Sequence, residues 1–323
     1  MSLGEFDIIA RYFAKQPARG DVLLGIGDDA AVLQTRADRR LAVAMDTIVE
    51  GVHFPVGTDA ADIGYRAVAV NLSDLAAMGA VPEWMTLSLS LPAANEAWLE
   101  GFAQGLFELA GEHGVALVGG DTVKGPLVIT VQIAGTVEPQ AWLTRAGARP
   151  GDRIFISGVP GEAAAGLAII QQQLPLDEPA RYLRQRFLRP QPRVSLGRHL
   201  RHVASAAMDV SDGLLTDLGK LCAASGCAAQ LNIDLLPQSG AMRQLFPVDN
   251  CVDYALSGGD DYEILFTVPP DRAPEVASLP ATLPVCTQIG VIASGSSVEC
   301  RRGNQPYTVQ RLGFDHFAKD VQA

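Results

Sequence analysis

The feature that most constrains this chain is a repeated pattern in which an apolar, strand-prone run is broken by an aspartate. "LAVAMD" reaches Asp46, "VALVGGD" reaches Asp121, and "VASAAMDVSD" reaches Asp209 and Asp212. Short runs rich in Val, Ala and Leu and bounded by turn residues read as strands. Two segments with helical punctuation separate the first two runs. "DIGYRAVAVNLSDLAAMG" offers Asp62 as an N-cap and Gly79 as a stop, and "NEAWLEGFAQGLFELAGEHG" begins and ends in the same way. Strands alternating with helices predict α/β or α+β architecture.

The periodic pattern breaks at "LTRAGARPGDRI", which carries Gly147, Pro150 and Gly151. "DRIFISGVPGEAAAGLAIIQQQL" then reads as a new strand, glycine turn and helix. The expected organisation is therefore an N-terminal domain over 1–140, a linker over 141–152 and a C-terminal domain over 153–323. With 323 residues, 48% of them hydrophobic, the chain has material for two cores. "NLSDLAAMG" and "DVSDGLLTDLG" share a Ser-Asp step, and "GGDT" and "GGDDYE" share Gly-Gly-Asp. These echoes are too short to establish a duplication.

Charge narrows the partners. A net charge of -11 and a pI near 4.9 argue against nucleic acid or an anionic membrane as the main partner. No apolar run approaches the roughly 18–20 residues that span a bilayer, and "MSLGEFDIIARYFAK" lacks the basic and apolar regions of a secretory leader. A cytoplasmic protein is expected. Cys222, Cys227, Cys251, Cys286 and Cys300 form no CxxC or Cys/His zinc spacing and read as reduced packing residues.

The acids themselves pose the chemical question. In "GIGDDAAV", Asp28 and Asp29 stand side by side, and burying both without a counter-charge costs several kcal/mol. Together with Asp46, Asp74, Asp121, Asp209 and Asp212 they supply hard oxygen ligands of the kind Mg²⁺ prefers. Asn71 and Asp74, three residues apart on a predicted helix, share a face. Each aspartate taken alone reads equally as turn chemistry or a cap; the set is what points to a divalent metal, and through it to a nucleotide. Neither GxxxxGK[ST] nor a helix-opening GxGxxG occurs. "SGVPGEAAAG" reads either as an anion-binding helix start or as an ordinary tight turn. Arg145 reads as a phosphate fork or a solvated surface residue, and His53, beside Phe54, as structural or catalytic.

Taken in order, "GEFDIIARYF", "GIGDDAAV", "MDTIVEGVHF", "AVAVNLSDLAAMGA", "GGDT", "LTRAGARPGD", "DVSDGL", "SGGDDYE" and "GFDHF" closely resemble the thiamine-monophosphate kinase family. That family lies within the ATP-binding superfamily of aminoimidazole ribonucleotide synthetase and selenophosphate synthetase. The resemblance covers essentially the whole chain. It implies a two-domain fold, a sheet-and-helix dimerising domain followed by a second α/β domain, with nucleotide bound between them in a homodimer. It implies ATP-dependent phosphorylation of thiamine monophosphate to thiamine diphosphate. By the same resemblance Asp29, Asp46, Asp74, Asp121, Asp209 and Asp212 are Mg²⁺ ligands. Gly120, Asp121, Arg145 and Ser211 contact ATP, and His53, Asp260 and Phe314 contact the thiamine phosphate. Asp74, Asp121 and Arg145 are then the residues closest to catalysis. Two positions depart from the family pattern: Met45 stands where a hydroxyl is usual, and Asp260 where many relatives have glutamate. A related ATP-dependent ligase, a selenophosphate synthetase and a catalytically silent binder are the rival readings. The absence of an N-terminal cysteine disfavours the second of these.

Overall fold

The computed structural model describes residues 4–14, 19–309 and 313–314. The chain divides into two compact units, Met1–Trp142 and Leu143–Ala323.

In unit 1 a short helix α1 (Glu5–Ile8) runs into a π-helical turn (Ile9–Phe13), followed by a small hairpin of β1 (Val22–Leu24) and β2 (Val32–Leu33). Then come β3 (Arg40–Val49), α2 (Ala60–Ala77), β4 (Val81–Leu91), α3 (Glu96–Glu112), β5 (Ala116–Lys124) and β6 (Val128–Val137). The four long strands form one sheet in the order β3-β6-β4-β5. Only β4 and β5 are parallel, joined through α3; the other pairs are antiparallel, which makes the unit α+β.

Helix α2 is buried almost all round because it lies between the sheet and α3. Its sequence accordingly lacks a polar face. The two helices pack backbone to backbone: a Cβ on Gly64 would stand 2.1 Å from the Phe102 carbonyl oxygen, and one on Gly105 would stand 1.8 Å from that of Ala61. The cap of α2 is Asp59, whose carboxylate accepts the Ala61 N–H at 2.9 Å, rather than Asp62, which lies inside the first turn. The helix takes three more residues than the apolar pattern requires because an N-cap acceptor is available earlier. Asn95 caps α3 as expected, and Gly79 and Gly114 follow the two helices with positive φ.

Two expected strand ends are not ends. β3 continues past Asp46 and β5 past Asp121, because both are held in register by their neighbours along their length.

Unit 2 begins with β7 (Arg153–Ser157), then α4 (Glu162–Gln171), α5 (Glu178–Leu188), α6 (Val194–Leu200), β8 (Ala206–Val210), α7 (Leu214–Ser225) and β9 (Ala228–Asn232). It continues with α8 (Gly240–Leu245), α9 (Val248–Ser257), β10 (Glu263–Val268), α10 (Ala273–Ala277), β11 (Cys286–Ala293), β12 (Val298–Arg302) and β13 (Gln305–Pro306). Its seven-stranded sheet has the order β13-β12-β9-β11-β7-β10-β8, with β12/β9 the parallel pair. One core packs Ile154, Ile156, Met208, Val210, Leu218, Leu265 and Ile289 under α7 and α9. Among the described residues all five cysteines are free thiols; four are buried and Cys286 is partly so. No helix is long and apolar enough to cross a membrane among the described residues.

Candidate functional site

In unit 1 a cavity of about 600 Å³ lies beside the "GIGDDAAV" loop. Asp28, Asp29 and Asp121 line one part of it, together with Gly119 and Gly120; Phe6, Ile9, Phe13, Ile26 and Leu117 line the apolar part. The N-terminal wall is anchored by aromatic packing, since Phe13 meets Phe102 edge-on with centroids 6.4 Å apart and Phe102 stacks on Trp98 at 5.0 Å. Gly120 has φ of 153°, and a Cβ there would stand 1.9 Å from the Leu87 carbonyl oxygen. Only glycine lets β5 pass so close to β4 at this point and still turn Asp121 toward the cavity.

All three of these carboxylates are exposed. Asp28 accepts the N–H of Asp29 at 2.9 Å, a side chain-to-backbone contact that sets the loop. Among the described residues none of the three makes an ion pair. The expected neighbours Asp29, Gly120 and Asp121 are thus brought together. Asp46 and Asp74 lie elsewhere in the unit. The register aligns Asp46 with Val131, Leu87 and Gly120, and Thr47 with Thr130, Ser88 and Asp121. Paired residues share a face, so Asp46 and Asp121 stand on opposite faces of the sheet. Asp46 is on the α2 side, where its N–H donates to Asn71 Oδ1 at 3.0 Å while Asn71 Nδ2 donates to the Ala67 carbonyl at 3.0 Å. Fully buried Asn71 therefore clamps β3 to α2 beside Asp74, one turn on. His53 accepts the Val49 N–H at Nδ1, 3.0 Å away, which places its ring proton on Nε2.

In unit 2 three turns converge. The 257–262 turn is pinned to the "DVSD" turn by Asp260 N–H to the Ser211 carbonyl and Tyr262 N–H to the Val210 carbonyl, both at 2.8 Å. Phe314 N–H donates to the Asp212 carbonyl at 3.0 Å, and Gly313 N–H to Thr216 Oγ1 at 3.2 Å. Asp260 and Tyr262 both have positive φ, 69° and 51°. Such a conformation costs a tyrosine on the order of 1 kcal/mol, and the turn holds it while Tyr262 Oη donates to Asp260 Oδ1 at 3.2 Å. Ser211, Asp212, Asp260 and Phe314 are thereby collected, with Asp209 buried on the adjoining β8. Arg145 is exposed on the segment before β7, its carbonyl accepting from Ser225 Oγ. Residues 315–317 of "GFDHF" lie outside the described residues.

Several residues here escaped sequence reasoning. Asp217, with no exposed side-chain surface, accepts the N–H groups of both Ser211 and Asp212 at 3.0 Å and so shapes that turn. Burial raises its pKa, while the hydrogen bond from Lys220 opposes the shift. The Lys220 ammonium bridges Asp217 at 2.8 Å and Asp212; burial works to lower its pKa, but the two carboxylates raise it overall. The Asp217–Lys220 spacing of three on a helix was the available signal.

The Gly158–Gly161 turn is occupied by an internal carboxyl group. Asp261 accepts the Gly161 N–H at 2.6 Å and the Ala163 N–H at 3.2 Å, so the start of α4 carries a carboxylate from this chain. Burial pushes the Asp261 pKa well up against these two hydrogen bonds. Glu263, fully buried, is held by Arg186 at 2.9 Å, by Arg193 at 2.7 Å and by Ser157. The second aspartate and the glutamate of "SGGDDYE" are therefore structural, and only Asp260 faces the converging turns.

Among the described residues no three Asp, Glu, His or Cys side chains form a group able to hold a metal ion. Mg²⁺ typically takes one or two carboxylates and completes its shell with water and substrate phosphates. Exposed, cation-free carboxylates beside a cavity are a donor set that fits it, and at Asp212 the Lys220 ammonium occupies the place of a cation.

Comparison with known proteins covers nearly the whole chain. Residues 27–137 match the family model "AIR synthase related protein, N-terminal domain", and residues 149–302 match "AIR synthase related protein, C-terminal domain". The thiamine-monophosphate kinase of Salmonella typhimurium is 47% identical over 324 residues, covering 98% of this chain and 99% of its own. The crystal structure of thiamine-monophosphate kinase from Stenotrophomonas maltophilia K279a superposes with a TM-score of 0.87 at 50% identity, over 93% of this chain and 97% of that one. The structure "AaThiL complexed with AMPPCP and TMP" gives 0.78 at 32% identity, over 88% and 89%.

Proposed function

The chain belongs to the thiamine-monophosphate kinase family of AIR synthase related proteins and phosphorylates thiamine monophosphate with ATP, and we propose that it does so by direct in-line transfer, as a Mg²⁺-dependent cytoplasmic homodimer. The observation that carries the reading is the unit 1 cavity, where exposed carboxylates without internal counter-charge stand beside Gly120 and an apolar wall.

The acceptor is a phosphate monoester whose second pKa is about 6, so its nucleophilic oxygen is largely ionised at neutral pH. No strong general base is needed; the buried Cys222 and Cys227 have raised pKa values, and His53 Nδ1 is already an acceptor. The barrier is electrostatic, an anion approaching an anion in an acidic protein. Bound Mg²⁺ would neutralise phosphate charge; Asp29 and Asp121, Asp46 and Asp74, and Asp209 and Asp212 are the residues that would hold such ions. The chain's own contribution is positioning. Gly120 lets backbone approach the nucleotide, Asn71 fixes β3 at Asp46, and Asp217 fixes the Ser211–Asp212 turn. Arg145 supplies a fork for phosphate oxygens. Asp260 and Phe314, with His53, provide charge and an aromatic face for the cationic thiazolium.

Pairing of two chains is supported by the sheet face that carries Asp121. It exposes Leu41, Val43, Met45 and Val123, Met45 to 64%, and a contiguous apolar face of this kind calls for a cover. Met45 thus has a packing role in place of the missing hydroxyl.

The test is ADP release from purified protein with Mg-ATP, comparing thiamine monophosphate, thiamine and no acceptor, with the product identified by mass. Turnover with the monophosphate alone is expected. ATP binding without acceptor-dependent ADP would leave a silent binder.

A further inference from the structure

Lys220 stands where an acidic turn meets its only cation among the described contacts of Asp212. Its side chain is 39% exposed, and its ammonium bridges two carboxylates of different character. Asp217 is wholly buried and also holds the Ser211 and Asp212 N–H groups. Asp212 is 35% exposed at the side chain, and Lys220 is its ion-pair partner.

We propose that Lys220 is a positioning residue that serves as the tethered counter-ion of Asp212, released from that carboxylate when a divalent cation binds there, and so sets the turn's cation affinity. The inference rests on the reading of Asp212 as a cation ligand. Three features carry it. An ammonium has three donors, so Lys220 can leave Asp212 and remain on Asp217, 2.8 Å away. The turn keeps its shape through this exchange, because its backbone is pinned by Asp217 Oδ2, whereas the Lys220 hydrogen bond goes to Oδ1. The exchange is also solvent-accessible, since both partners are partly exposed. The charge of Asp212 is therefore balanced before any ligand arrives, and a cation competes with an internal ion rather than with water alone.

The experiment is a Mn²⁺ titration of the full-length, nucleotide-free protein followed by electron paramagnetic resonance, comparing wild type, Asp212→Asn, Lys220→Met and Lys220→Arg. Asp212→Asn should remove one binding site. Lys220→Met should tighten that site roughly 2- to 5-fold, the range expected for removing a partly exposed ion pair, and Lys220→Arg should restore wild-type affinity. A residue that merely shaped the turn would weaken binding when removed, the opposite sign. In wild type, the Lys220 side-chain ¹³Cε resonance, assigned by its disappearance in Lys220→Arg, should shift on adding Mg²⁺ and stay still in Asp212→Asn, a readout that does not require Lys220→Met to fold. A site lost in Asp212→Asn with unchanged or weaker affinity in Lys220→Met overturns the role of Lys220 alone. Unchanged stoichiometry in Asp212→Asn overturns the proposal through its premise and the metal assignment of Asp212 with it.

Discussion

The acids that line the unit 1 cavity and the buried acids of unit 2 are treated in opposite ways. In unit 1, Asp28, Asp29 and Asp121 line a cavity with no ion pair among the described residues, and the same sheet leaves apolar side chains exposed. In unit 2, Glu263 and Glu162 share Arg186, with Arg193 also on Glu263; Asp261 is bound by backbone N–H groups, and Asp212 and Asp217 share Lys220. A buried carboxylate with an internal counter-charge, such as Glu263, is part of the fold, whereas Asp212 stays partly exposed beside Lys220. An exposed carboxylate with no such partner, beside a cavity, is solvated by water and open to a cation.

That contrast can be broken at either side. Glu263→Ala should have the largest effect, a loss of about 3–5 kcal/mol in urea unfolding, since it leaves Arg186 and Arg193 facing each other in a buried site; a change below about 1 kcal/mol would show that the network is not structural. Asp121→Asn should instead lower turnover roughly 100-fold while moving unfolding by less than about 0.5 kcal/mol; comparable losses in activity and stability would erase the distinction between the units. Next in size, Val43→Lys with Met45→Lys should weaken self-association at least about tenfold by setting like charges across the apolar face proposed to pair, read by sedimentation equilibrium. Unaltered association would place the interface elsewhere.

The smallest effect concerns closure of unit 2, which holds all five cysteines. Burial pushes the Cys222 and Cys286 thiols up to about 12 and Cys300 to about 11, so at pH 8 roughly a thousandth or less of each is thiolate. Iodoacetamide should label them at least about a hundredfold more slowly than a small free thiol, and labelling at the free-thiol rate would mean that unit 2 opens readily.

How much of this was legible in the sequence depends on distance along the chain. The helices α2 and α3, their glycine stops, the strand-turn-helix at β7 and α4, and the break near Gly147 all follow from local punctuation. The acids of the cavity were also found from their turn and strand context, with Gly120 supplied by family resemblance. What escaped was set by pairing between remote segments. Strand continuation past Asp46 and Asp121 comes from register with β6 and β4, and register also puts those two residues on opposite faces. Asp59 won the α2 cap because its carboxylate reaches Ala61, a competition between neighbouring aspartates that propensity does not decide. The division of "SGGDDYE" into one outward residue and two structural ones depends on α4, α5 and Arg193, which lie about 70 to 100 residues away.

The carboxylate at the start of α4 has a last consequence. Asp261 is covalently tethered and held beside the Gly161 and Ala163 N–H groups by the fold, so its effective concentration there is one that no free anion at cellular levels matches. The glycine turn that looks like a phosphate cradle in the sequence is self-inhibited in the folded chain, and inorganic phosphate or sulfate in a buffer will not titrate it. Nucleotide phosphates are thereby denied a decoy within unit 2.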